Sequence, residues 1–162
     1  MTTKLNFKIL TILSALLLTI TTCATEKPNE WELIAEDVEA TVYNAVAEQC
    51  GSTPSYTASM FKINLNDVYS HKIIAMERSF MKSLNLNFGD VVKIEGTGKW
   101  DGIWQIQDTM SSRYKGRKKI DFLVPNNIKT GKWNNVKIYA LTNKEMTYLY
   151  IDNMAPQAKK NS

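Results

Sequence analysis

From Val38 onward the chain is patterned with a period near two: short apolar-and-polar alternations separated by clusters of turn formers. EATVYNAV alternates around Val42, and EQCGSTPSYTAS, with Gly51 and Pro54, reads as a loop. SHKIIAMER predicts a strand carrying Glu77 at its end, and SFMKSLNLNFGD a short helical or turn segment ended by Gly89. DVVKIEG, rich in β-branched residues and closed by Gly96, is the clearest strand. A glycine-rich turn, GTGKWDG, leads into the strand GIWQIQD; KKIDFLV follows and stops at Pro125-Asn126-Asn127. NVKIYAL is the last firm strand, TYLYI reads as an added edge strand, and APQAKKNS as a disordered tail. With no sustained helical period, the pattern predicts a mainly β protein, a small barrel with short helical or turn segments.

Composition adjusts this picture at the ends. A chain of 162 residues suits one ordinary domain plus extra segments. At 44% hydrophobic and 22% charged, it can fill a core, which excludes wholesale disorder. Lys4 and Lys8, the apolar run Ile9–Ile20 and the small residues Thr21–Ala24 form a secretory signal, too short for a spanning helix. Two processing routes compete: lipidation at Cys23, or simple cleavage after Ala24. The predicted organisation is therefore a signal over 1–23, an acidic tether over 24–37, a barrel domain over 38–142 and a partly disordered extension over 143–162. The protein is expected outside the cytoplasm, in the bacterial envelope or periplasm, as a monomer touching membrane only through a lipid anchor. The formal charge is +4, and removal of Lys4 and Lys8 leaves about +2, too little to point to nucleic acid.

Cys50 becomes the sole thiol of the processed chain, which excludes an internal disulfide framework. His71 is the single histidine, so a Cys–His nucleophile lacks an orienting partner, and a buried, inert cysteine is expected. Without a His cluster or cysteine pair no metal is expected, and no cofactor either: the glycines of GTGKWDG are not followed by the helix a phosphate cradle needs.

Candidate chemistry lies between Gly102 and Val124. Period-two alternation puts Trp104, Ile106 and Asp108 on one side of a strand, with the carboxylate ending an apolar stripe. Burial there raises a carboxyl pKa, and repulsion from Asp121 would raise one of the pair further. A carboxyl kept protonated near neutrality suits general-acid cleavage of a glycosidic bond. The alternative is two strand-ending aspartates in solvent. The basic run Arg113, Lys115, Arg117, Lys118 and Lys119 is either a solvated loop or a holder of an anionic polymer.

Taken in order, TVYNAV, TAS at Thr57–Ser59, KIIAMERSF, FGDVVKIEG, QDTM, KGRKKIDFLV and NVKIYAL resemble the 3D domain. That family, named for three aspartates, occurs in bacterial cell-wall lytic enzymes and spore-related proteins. The catalytic domain of membrane-bound lytic transglycosylase A is similar, and the rare lipoprotein A barrel is a more distant relative. The resemblance covers about Glu39 to Leu141 and implies a six-stranded double-psi β-barrel. Asp108 matches the family's second aspartate, and Asp121 its third, the acid/base of the related transglycosylases. Glu77 stands where the first aspartate is expected, and Met110 and Ser111 where the family has glycines.

The resemblance implies non-hydrolytic cleavage of peptidoglycan between N-acetylmuramic acid and N-acetylglucosamine, leaving 1,6-anhydro ends. Asp121 would be the acid/base, with Asp108 and Glu77 holding and tuning it. Trp100 or Trp104 would stack on sugar, the alternative being a core role, and Lys115 and Arg117 would meet glycan carboxylates. The rival expectation is a barrel that binds cell-wall polysaccharide without cutting it.

Overall fold

A computed structural model describes residues 30–154. The secretory signal expected over 1–23, with Cys23, and the tail expected to be disordered from 155 onward lie outside the described residues.

Six strands close into a barrel: β1 (Trp31–Tyr43), β2 (Ile73–Met76), β3 (Val91–Glu95), β4 (Gly102–Thr109), β5 (Lys119–Leu123) and β6 (Lys132–Leu141). Their order around the barrel is β1-β5-β2-β4-β3-β6, with β6 returning to β1. The pairs β1–β5 and β2–β4 are parallel and the other ladders antiparallel. The chain passes over β5 in going from β1 to β2, and over β2 in going from β4 to β5. These interlocked crossings are what a double-psi barrel calls for.

Alternation sorts the strand residues into two layers. Ile74 and Met76, Val92 and Ile94, Trp104 and Ile106, Ile120 and Phe122, and Val136 and Ile138 are buried in one central core cluster. Each of these side chains contributes about 2 kcal/mol by leaving water. The opposite residues of β2 and β5 are buried too, because the segment 44–72 folds over them: Ile73, Ala75 and Leu123 pack with Ile63, Val68 and Tyr43. That overlying lobe includes α1 (Ala47–Cys50) and turns pinned by Tyr56–Lys62 pairing. At the end of β3 the chain turns at Gly96 with φ +100°, and a Cβ there would stand 3.4 Å from the Asn135 carbonyl, so glycine suits the position.

Two boundaries differ from the sequence expectation. The tether expected over 24–37 enters the barrel at Trp31, and Trp31–Val38 pairs with β6 through two register shifts, a third following before Ala40. Its acidic residues point outward from a bulged strand, and Asp37 takes φ 57°, so the polar run masks a strand. TYLYI is not an edge strand but part of α3 (Thr147–Met154), docked through Tyr150 against Trp31 with ring centroids 5.2 Å apart. Its strand propensity yields to the packing partner the N-terminal strand supplies.

Candidate functional site

The site is built on the outer face of the barrel under the lobe, and a β-bulge decides what faces it. On β4, Ile106 pairs with Ile74, yet Asp108 rather than Gln107 pairs with Ala75. The extra residue turns Asp108 to the face of Ala75, away from the core position of Ile106. Asp108 therefore does not share a side with Trp104 and Ile106, as strict alternation implies. Ala75 also pairs with Asp121 on β5, and Asp121 with Thr41 on β1. The result is a row across four strands: Thr41, Asp121, Ala75, Asp108. Two strand spacings separate the Cα atoms of the aspartates, about 10 Å. All four residues line one cleft of about 910 Å³.

The two carboxylates have different surroundings. Asp121 is largely withdrawn from water, and burial pushes its carboxyl above the usual aspartate value. The Thr41 hydroxyl, which donates to Asp121 Oδ1, and the charges of Lys119 and Arg113 pull the other way, while Glu39 adds to the rise. The upward shift is thus desolvation, not repulsion between the pair. Asp108 is a hub of contacts: its Oδ2 accepts from the Tyr43 hydroxyl at 2.9 Å, and its Oδ1 from the amides of Ala58 at 3.0 Å and Thr109 at 2.8 Å. It thereby ties β1, β4 and the lobe together. The adjacent Ser59 backs this by pairing with Gln107 through both side chain and main chain. Burial and the Asp108 charge raise the Tyr43 phenol well above its ordinary value, so it stays a donor.

Glu77 is elsewhere. It is buried and caps α2 (Arg78–Ser83), accepting from the amides of Ser79 and Phe80 at 3.1 and 2.9 Å. Burial alone would raise its pKa, but bonds from the Ser79 hydroxyl and the amides of Ser79, Phe80 and Gly116 outweigh that and lower it. Glu77 does not line the cleft. Its amide bonds the Lys119 carbonyl at 3.1 Å, and Gly116 N–H reaches Ser79 Oγ at 3.2 Å, so it anchors the connection that carries Asp121.

No family model matches this chain, and no curated protein matches it either.

Among the expected sugar contacts the structure makes several corrections. Trp100 and Trp104 are core, 4% and 1% exposed, with Trp104 Nε1 donating to the Trp100 carbonyl at 2.8 Å and its ring 4.7 Å from Phe122. Buried in the core cluster, neither can stack on a ligand. Lys115 and Arg117 do not line the cleft; Arg117 reaches Glu39 at 3.1 Å. Their places are taken by Arg113 and Lys119, whose positions depend on where the connection turns at Ser112–Tyr114, a point no periodicity marks. Cys50 is half-buried rather than sealed in the core and lines the cleft, donating to the Asn44 carbonyl at 3.3 Å. Burial pushes its thiol up, away from the thiolate a nucleophile needs. Tyr43, Tyr114 and Thr41 were also missed by sequence reasoning; TVY and the basic connection held them, but only the register places them at the carboxylates. Among the described residues no three His, Cys, Asp or Glu side chains are grouped to hold a metal ion.

Proposed function

We propose that this protein is an exported, cell-envelope lytic transglycosylase of the 3D-domain type that cleaves peptidoglycan strands, with Asp121 as its single acid/base. The observation that carries the reading is Asp121's place: a desolvated carboxyl with a raised pKa, in the wall of an open cleft and in register with Asp108. Protonated Asp121 donates to the bridging oxygen as the C1–O bond breaks and the sugar gains oxocarbenium character. The resulting carboxylate then takes the proton of the sugar's own 6-hydroxyl as that oxygen bonds C1, closing the 1,6-anhydro ring and restoring the acid. No water enters the balance. A scheme with one acid/base fits a site whose second carboxylate is occupied by three donors. Asp108 holds the cleft's shape, and Glu77 the connection below it.

Purified protein on isolated sacculi, with mass spectrometry of released fragments, tests this: anhydro-muropeptides should appear with wild-type protein and fall at least a hundredfold with Asp121→Asn. Unchanged release by Asp121→Asn refutes the assignment. A second reading, a barrel that binds the same glycan without cutting, is favoured by the Thr41 hydroxyl, whose donation to Asp121 opposes its protonation. Such a protein would sediment with sacculi yet release no soluble fragment.

A further inference from the structure

We propose that Arg113, Tyr114 and Lys119 form an anion subsite in the cleft wall, which takes a carboxylate of the bound polymer beside Asp121. The inference rests on the cleft being a glycan site and names the chemical class it selects: acidic rather than neutral polysaccharide.

The Tyr114 ring gathers cations. The Arg113 guanidinium lies 4.8 Å from its centroid, Lys119 Nζ 5.2 Å and the Arg117 guanidinium 5.9 Å. Among the described residues Lys119 and Arg117 share one paired counter-charge, Glu39, which also serves Lys132. Arg113 is paired with no carboxylate among the described residues, and it faces the cleft that holds Asp121. The Tyr114 edge of the cleft therefore holds one guanidinium with no carboxylate partner among the described residues, its flat fork steadied on an aromatic ring, while the carboxylates Glu48, Asp108 and Asp121 line the rest of the cleft. Such a fork donates two parallel N–H···O bonds to a carboxylate. Lys119, only 3% exposed and fixed by Glu39, adds fixed charge behind it without competing for the ligand.

The subsite also acts on the acid. Arg113 and Lys119 both lower the proton affinity of Asp121. A carboxylate seated on Arg113 cancels part of that influence, so an acidic ligand promotes the protonated form that cleavage needs, whereas a neutral one leaves it as it was.

Binding separates this proposal from turnover. Affinities of wild-type protein, Arg113→Gln and Lys115→Gln would be measured by titration calorimetry for chitohexaose, which is neutral, and hexagalacturonate, which has ring carboxylates. Sedimentation with sacculi, before and after carbodiimide amidation of their peptide carboxyls, gives the second arm. At low salt, Arg113→Gln should weaken binding to hexagalacturonate or to unmodified sacculi about fivefold to tenfold and to chitohexaose less than twofold. Lys115→Gln, outside the cleft, should change neither. Dependence on Arg113 with hexagalacturonate identifies a ring carboxylate, and dependence lost on amidation identifies a peptide carboxylate. Arg113-dependent binding without any released fragment would uphold the subsite while refuting the enzyme. Equal binding of both acidic probes by wild type and Arg113→Gln would overturn the subsite, whatever the outcome for cleavage.

Discussion

Glu39→Gln is expected to unsettle both the barrel and the Asp121 carboxyl, in amounts the structure allows to be worked out. Glu39 holds Arg117 and Lys132 at 3.1 Å each and binds Lys119 directly. Its hydrogen bond from Lys119, followed by the one from Lys132 and the charges of Lys119 and Arg117, outweighs burial and holds its pKa at about 2. A carboxylate depressed from an ordinary 4.5 contributes stability that is present in full above pH 4.5 and disappears as pH falls through about 2. Two of the three cations are more than half exposed, so solvent screening reduces the contribution to about 2 kcal/mol. The larger effect is on Lys119: removing the carboxylate it is paired with leaves a buried ammonium without that counter-charge, which costs about 3 kcal/mol. Because these describe one interaction from its two ends, the expected loss is about 3 kcal/mol rather than their total. Urea unfolding at pH 7 followed by tryptophan fluorescence should show a midpoint lower by about 1–2 M. The gap between wild type and variant should shrink as pH is lowered from 4.5 toward 2. Glu39 also raises the Asp121 pKa, so the alkaline limb of any cleavage profile should move to lower pH in the variant. A variant as stable as wild type at pH 7, or a gap independent of pH, would refute this account of the cluster.

Trp104→Ala should cost about 3–5 kcal/mol in urea unfolding, since it empties the barrel centre, whereas a ligand-stacking tryptophan would cost little stability and mostly affinity. Glu77→Ala should lower stability by about 1–2 kcal/mol through loss of the α2 cap, while turnover per folded molecule stays within about threefold. A hundredfold loss of turnover at full stability would instead make Glu77 part of the chemistry.

Much of the barrel was legible because its strands are dominated by local pattern. Val91–Glu95 and Lys119–Leu123 announce themselves through β-branched and apolar alternation, and glycine or proline marks their ends. The start of β1 was hidden because Glu32, Glu36 and Asp37 lie on a strand that bulges repeatedly, which destroys a clean period. The site was half legible. Asp121 alternates cleanly with Ile120 and Phe122 and so faces outward as any pattern would require. Asp108 could not be placed, because one inserted residue at Gln107 reverses its face, and a bulge leaves no mark in the order of residue types. For the basic connection, the choice between Arg113 and Arg117 turned on a single 3₁₀ turn and on Glu39, which is 78 residues away from Arg117 in the chain.

The seam between β1 and β6 has a consequence for assembly. Trp31 is hydrogen-bond neighbour to Leu141, so the first strand finds its long antiparallel mate only in the last strand of the barrel. Its other neighbour, β5, begins at Lys119, only shortly before β6 at Lys132. During synthesis the leading strand must therefore wait, both edges unsatisfied, until β5 and β6 have been made, and the search is slow for want of nearby contacts. Any shortening that removes β6 should leave an open, self-associating sheet instead of a smaller version of the native molecule.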